Sequence, residues 1–389
     1  MAVLLTGADG YIGWPTALRL SDRTDERIIC VDNNARRDWV EEVGSVSAVP
    51  VDTPEERFDA HPNLSYIEGD LSDRSFVKEL LAVHEPDTVL HTAAQPSAPY
   101  SQINGERALY TQRNNVSMSV NLLWGLKEEG LEDSHYVETT TTGVYGAPEF
   151  EIPEGGFVAE RSGGSDFVPF PAMGGSWYHQ TKTFDAANMR LADTQWDQNV
   201  TDVRTAIVYG SGTKETRDSG LANRFDFDYY FGTVVNRFCA QAVAEYPLTV
   251  YGKGEQRKPM VSLEDTVESL VRLVEEGHGE GSDNPSVGGF EVYNQVARPI
   301  SIVELAETIE SVAHEYDLDT QVKHYENPRE EDEEHKMEME NEEFESLIDG
   351  IDCSLEEGVR DVFESLTKEE PRRRIESHVD RFLPGVLQE

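Results

Sequence analysis

Ten residues near the N-terminus, Leu4-Leu5-Thr6-Gly7-Ala8-Asp9-Gly10-Tyr11-Ile12-Gly13, constrain this chain more than any other stretch. An apolar run meets glycines spaced three apart, and a helical pattern follows at Thr16, Ala17, Leu18 and Leu20. That order reads as a strand, a tight turn and a helix N-terminus. Free backbone N–H groups and the helix dipole make such a terminus a good place for an anion. Gly7 allows the turn, Gly10 lets the backbone approach a pyrophosphate, and Gly13 lets helix and strand pack closely. A bare strand–turn–helix junction is the alternative for the glycines alone. A second apolar strand, Arg27 to Val31, adds weight, because it ends at Asp32, nineteen positions after Gly13. A carboxylate there accepts hydrogen bonds from an adenosine ribose and repels a 2′-phosphate. Together these features point to dinucleotide binding with NAD favoured over NADP, against which Arg36 and Arg37 weigh a little.

The 389 residues suffice for two lobes. Asp and Glu total 75 against 33 Lys and Arg, a formal charge of −42, which argues against a nucleic-acid or anionic-membrane surface. With 38% hydrophobic residues and clear apolar strands, this is not a disordered acidic chain. A solvated acidic shell suits a cytoplasmic protein of a high-salt cell. Cys30, Cys239 and Cys353 are scattered singly, so neither a metal site nor a disulfide framework is expected. The N-terminus runs straight into the first strand, so no signal peptide is expected, and no apolar stretch reaches the ~18 residues of a membrane span.

Leu64 to Leu71 reads as a third strand ending in Asp70, which can reach an adenine amino group or cap the next helix. Asp87 to Ala94 is a fourth strand, ending in the small Ala93 and Ala94. A helix from about Arg107 to Lys127 contains Asn114-Asn115, poor helix formers. They either hold a neighbouring loop or a catalytic water, or face solvent. Tyr136 to Thr142 is the fifth strand. Five β/α units imply an α/β fold, a doubly wound parallel Rossmann sheet over residues 1–182, with ligands at the carboxyl ends of its strands. Residues 183–389 read as a smaller mixed α/β substrate-binding lobe with an acidic, weakly patterned C-terminal tail. Segments near 202–210 and 234–270 return to the first domain.

Tyr178 and Lys182 are four apart, so both lie on one helix face. A free Tyr has a pKa of about 10, too high for an efficient base. A nearby ammonium and the positive nicotinamide ring favour the phenolate. Thr141 and Thr142 end the fifth strand, where a hydroxyl can bond the substrate oxygen that Tyr178 deprotonates; β-propensity alone is the alternative.

These residues resemble the extended short-chain dehydrogenase/reductase (NAD-dependent epimerase/dehydratase) family. Further stretches, Gln95 to Ser101, Tyr110 to Val116, Ser176 to His179, Phe231 to Cys239, Pro247 to Gly254 and Asn327-Pro328-Arg329, look like its UDP-sulfoquinovose synthase branch. The likeness runs to about His335 and then fades. It implies that UDP-glucose and sulfite give UDP-sulfoquinovose. Tyr178, helped by Lys182, takes the 4-hydroxyl proton while hydride goes to NAD. The 4-keto group acidifies C5, loss of that proton and of the C6 hydroxyl gives an enone, sulfite adds, and C4 is reduced. The resemblance puts Thr141, Tyr178, Lys182 and His179 in the catalytic set. It puts Gly7, Gly10, Tyr11, Ile12, Gly13, Asp32, Asn33, Arg36, Asp70, Leu71, Ala93, Ala94, Gln95, Asn114, Tyr178, Lys182 and Val208 around NAD. Ser97, Thr141, Thr142, Asn236, Arg237, Thr249, Val250, Tyr251, Arg257 and Arg329 hold the nucleotide sugar. No metal is implied, and a homodimer through helices near 109–126 and 177–192 is.

Two departures bear on the chemistry. The family's Glu in Thr-Met-Gly-Glu-Tyr-Gly, a natural acid or base for the elimination, is Val144, and its Arg after Gln95 is Pro96. A UDP-sugar 4-epimerase needs no such base; it stays open as an alternative, as do a dehydratase without sulfite addition and a non-catalytic NAD-binding scaffold. The acidic shell carries its own test. Screening removes most self-repulsion at high salt, so stability to urea should rise between ~0.1 and ~2 M salt, and salt-independent unfolding overturns the high-salt reading.

Overall fold

The computed structural model describes residues 2–59, 61–169, 173–218, 221–277, 290–326 and 336–384. Its frame is a parallel sheet of seven strands: β1 (Ala2–Thr6), β2 (Arg27–Asp32), β3 (Leu64–Glu68), β4 (Thr88–His91), β5 (His135–Thr139), β6 (Val200–Thr205) and β7 (Phe290–Gln295). The spatial order is β3-β2-β1-β4-β5-β6-β7. β1 and β5 are buried at every residue; β1 reads as an apolar run rather than an alternating one, while β5 buries the polar His135, Glu138 and Thr139. The order reverses between β1 and β4, whose loops part at their carboxyl ends, and a doubly wound sheet opens its ligand crevice there.

One face of the sheet is covered by α1 (Gly13–Arg23). The other is covered by α2 (Gly105–Glu129) and α3 (Trp177–Trp196), which lie side by side. α2 starts at an Asn104 cap that accepts from Arg107 N and stops at Gly130 in the left-handed conformation. Ser176 caps α3 through His179 N. That cap fixes where the helix begins, and so fixes the direction of Tyr178 and Lys182.

A second core lies beyond the sheet. Here α4 (Val234–Val243) packs with helices Ile302–Glu315 and Leu355–Leu366. Leu248–Tyr251 pairs in parallel with Val322–Tyr325, and Arg257–Ser262 lies between Ile207–Tyr209 and Arg298–Ser301. The segment 202–210 therefore divides, its first part joining the large sheet as β6 and its second the three-stranded sheet. The segment 234–270 divides too. α4 stays in the second core, while α5 (Leu263–Glu276) returns to pack on α1, where Leu270 and Leu18 share one apolar cluster.

The acidic C-terminal part is no loose tail over its described residues. Val359, Val362, Phe363 and Leu366 are fully buried on one face of helix Leu355–Leu366, and Ser354 closes a capping box with Glu357. Its acidic residues lie on the other face and mask the 3.6-residue period in the sequence. Among the described residues, no helix is long and apolar enough to cross a membrane.

Candidate active site

A cleft of about 1060 Å³ runs from the glycine turn, across the ends of β4 and β5, to the second core. At one end the turn is tightly drawn. Gly7 has φ 76°, and a β-carbon there would lie 2.6 Å from Ala93 N. At Gly13 a β-carbon would lie 2.1 Å from Gly7 O. The turn and the first residues of α1 line the cleft through Gly10, Tyr11, Ile12 and Gly13. Asp32 also lines it, and its carboxylate accepts from Asp9 N at 3.0 Å and Asn34 N at 2.7 Å. Burial, and then the neighbouring Asp9 charge, push Asp32 up to about 6. A cradle of this shape, closed to any β-carbon and ending in a carboxylate, fits an NAD dinucleotide.

The two arginines that weighed toward NADP are committed elsewhere. Arg37 makes two bonds to Asp9, at 2.8 and 2.9 Å. Arg36 donates to Asp226 at 2.9 and 2.7 Å and lies 4.3 Å from the Phe231 ring centre. Arg36, Asn33, Leu71, Ala93, Ala94, Asn114 and Val208 all line the cleft.

Asp70 and Gln95 do not line it. Asp70 is exposed and accepts from Ser72 N at 2.8 Å, while Asp73 caps the following helix. Gln95 is fully buried. Its backbone N–H and C=O are held by Asn115 at 2.8 and 3.1 Å, and its side-chain oxygen accepts from Ser97 N at 3.0 Å. Asn115 also donates to Thr181 Oγ1 at 3.0 Å, which ties the loop after β4 to α3. Asn115 thus holds a loop, Asn114 donates to Asn115 Oδ1 at 3.1 Å and lines the cleft, and neither is exposed to bulk solvent.

Thr141, Thr142, Tyr178, His179 and Lys182 meet in the middle of the cleft. Thr141 lies just past β5 and caps a short turn through Gly143 N, at 3.1 Å. His179 lies against that turn, for a β-carbon on Gly143 would come within 2.5 Å of the imidazole. Burial pushes the Tyr178 phenol up, and the Lys182 ammonium pulls it back. Val144 is 1% exposed and belongs to the apolar core, so the place where the family carries Glu is dry packing.

On the far wall stand Ser97, Asn236, Arg237, Thr249 and Tyr251. Asn236 accepts from Gly210 N and donates to Tyr11 OH, at 3.1 and 3.2 Å, so it joins the glycine turn to the second core. Val250 and Arg257 are not in the wall. Val250 is core, since alternate residues of its strand face opposite ways. Arg257 donates to Pro299 O at 2.7 Å, and its neighbour Lys258 lines the cleft instead. Arg329 lies outside the described residues. Sequence reasoning also passed over Glu138, which contacts Lys182 at 2.9 Å. Its signal was a carboxylate next to Val137 in a strand of the parallel sheet, because Glu is almost never fully buried unpaired. Among the described residues no cluster of His, Cys, Asp and Glu could hold a metal.

The Asp32 environment has a consequence for pH. Ribose hydroxyls donate to the ionised carboxylate, so binding competes with its protonation. NAD affinity, measured by calorimetry, should be flat above pH about 6 and weaken below it, by up to about tenfold per unit. Asp32→Asn should bind more weakly at neutral pH and lose this dependence. An unchanged slope in that variant would assign the titration to another group.

Comparison with known proteins agrees with this geometry. Residues 3–288 match the model of the NAD dependent epimerase/dehydratase family. The UDP-sulfoquinovose synthase of Sulfolobus acidocaldarius is 38% identical over 341 residues, 86% of this chain and 84% of that protein. The chloroplastic UDP-sulfoquinovose synthase of Spinacia oleracea is 37% identical over 86% of this chain and 68% of its own. Among solved structures, a UDP-glucose 4-epimerase of Thermotoga maritima with UDP-glucose aligns at TM-score 0.71 and 20% identity, over 94% of this chain and 98% of that one. A UDP-glucuronic acid 4-epimerase of Bacillus cereus, in complex with UDP-glucuronic acid and NAD, aligns at 0.69 and 18%, over 94% and 99%. With its glycine turn, its Tyr178–Lys182 helix and these relatives, the chain belongs to the NAD-dependent epimerase/dehydratase family of enzymes.

Proposed function

We propose that this enzyme makes a sulfosugar nucleotide from UDP-glucose and sulfite. The observation that carries the proposal is the convergence of Thr141, Tyr178, His179 and Lys182 in one cleft with the dinucleotide cradle. The 38% identity to a UDP-sulfoquinovose synthase supports the choice of reaction. Gly7, Gly10, Gly13 and Asp32 would hold NAD, which supplies a hydride acceptor that later returns the hydride. Tyr178 takes the proton of the sugar 4-hydroxyl, and Thr141 holds that oxygen in line. Lys182 favours the phenolate by its charge. His179, against the Gly143 turn, moves protons at C5 and C6 in place of the missing carboxylate. Arg237 and Lys258 bind the diphosphate, and Asn236, Thr249 and Tyr251 the uridine.

A 4-epimerase is the second reading, and one observation favours it: Val144 is buried in apolar packing where an elimination base would stand. The purified enzyme with UDP-glucose, with and without sulfite, separates the two by mass spectrometry. A sulfite-dependent product supports the synthase. UDP-galactose without such a product establishes the epimerase, and no turnover of any nucleotide sugar with NAD still bound establishes a scaffold. Tyr178→Phe should lower turnover by about 10²–10⁴-fold and leave NAD bound; full activity in that variant would remove Tyr178 as the base.

We also propose a cytoplasmic homodimer built on α2 and α3. Leu109, Trp124, Trp177, Phe184 and Leu191 are exposed along these two helices, an apolar face that four-helix packing would cover. Phe184→Glu with Leu191→Glu should yield a monomer by sedimentation. A native chain that sediments as a monomer overturns the proposal.

A further inference from the structure

Beneath the cleft, Lys182 has two carboxylates around it. Its Nζ lies 2.9 Å from Glu138 Oε1 on β5 and 3.3 Å from Asp185 Oδ2, one turn along α3. The three side chains are 3%, 0% and 0% exposed, so water does little to compensate their charges. The two acids are not equivalent. Glu138 also accepts from Ser119 Oγ at 2.9 and 3.0 Å and from Tyr136 OH at 2.8 Å. Beyond Lys182 and Glu138, neither oxygen of Asp185 has a hydrogen-bond partner among the described residues. His91 on β4 and Tyr178 on α3 are the other titratable groups facing the cluster.

Two ionised acids would leave one uncompensated negative charge in a dry interior, at a cost on the order of several kcal/mol. Like charges that share a site are resolved by one of them keeping its proton. We propose that Glu138 and Asp185 are positioning residues that share one proton around Lys182, so that the lysine stays charged beside Tyr178 while the cluster is neutral. The donors on Glu138 make it the ionised member, and Asp185 carries the proton. The shifts run the same way. Burial and then the Glu138 charge raise Asp185 well above the usual carboxylate range. For Glu138 the opposing effect of burial is outweighed, chiefly by Lys182, and it is held low. The arrangement also gives Lys182 a spare partner, because loss of either carboxylate leaves the other free to ionise.

The inference rests on the pairing of Tyr178 with Lys182 proposed above, but its test needs no sugar substrate and therefore stands apart from the identity of the reaction. Infrared difference spectra of the full chain at neutral pH, wild type against Asp185→Asn and against Glu138→Gln, should each lose one band of a buried protonated carboxyl. In Glu138→Gln the loss arises because Asp185 gives up its proton. Loss of only a carboxylate band in Glu138→Gln means that Asp185 keeps its proton independently and overturns the proposal. Tyr178 ionisation is read separately, as the ultraviolet titration of each variant minus that of its Tyr178→Phe counterpart. Each single amide variant should leave the midpoint within about half a unit. The double variant should lower it by about one unit or more, as the phenolate becomes the only counter-ion of Lys182. A single variant that shifts it as far as the double overturns the shared proton. If the double variant does not fold, the infrared comparison of the two singles still decides.

Discussion

The close approach of backbone to backbone at the end of β1 sets the terms for the rest of the molecule. Gly7 passes so near Ala93, and Gly13 so near Gly7, that neither position has room for a side chain. Because β1 and β4 part there, the loops behind them form the floor of the cleft. The turn is then fastened from outside. Tyr11 OH donates to Gly210 O at 2.7 Å, Asn223 donates to Tyr11 O at 2.9 Å, and Asn236 bonds Tyr11 OH. The cofactor cradle and the opposite wall of the cleft are therefore one hydrogen-bonded unit.

Charge is handled differently inside and out. The surface is strongly acidic, yet several buried carboxylates near the cleft are each met by arginines. Asp9 is met by Arg37 and Arg57, Asp226 by Arg36 and Arg224, and Asp202 by Arg204. Each set compensates a carboxylate that burial would otherwise make costly. Arg57 also lies 4.2 Å from the ring centre of Trp14, so packing and charge are met by the same side chain.

Much of this was legible in the sequence, for physical reasons. A glycine turn is visible because only glycine fits, and the Tyr178–Lys182 pair because helix spacing puts i and i+4 on one face. Asp32 is visible because it ends a strand at a fixed interval from the turn. What stayed hidden depends on which way a side chain points. Gln95 looked like a cofactor contact and is an internal brace for its own loop. Arg257 looked like a nucleotide-sugar contact, yet strand geometry turns it toward Pro299 and leaves Lys258 in the cleft. The C-terminal helices were obscured by their acidic faces. Glu138 was in plain view, but its meaning depends on Lys182 and Asp185, which only the fold brings to it.

The edge strand β7 enters the large sheet only after the chain has built α4 and three strands of the second core. Later still, Ile152 bridges to Met339, Ile152 N donates to Glu338 O at 2.9 Å, and Met337 joins the wall of the cleft. No single cut in the chain therefore yields two fragments that each hold a whole core. A ribosome that has delivered the glycine turn, Tyr178 and Lys182 still has an open-sided chamber on its hands until Met337 has followed.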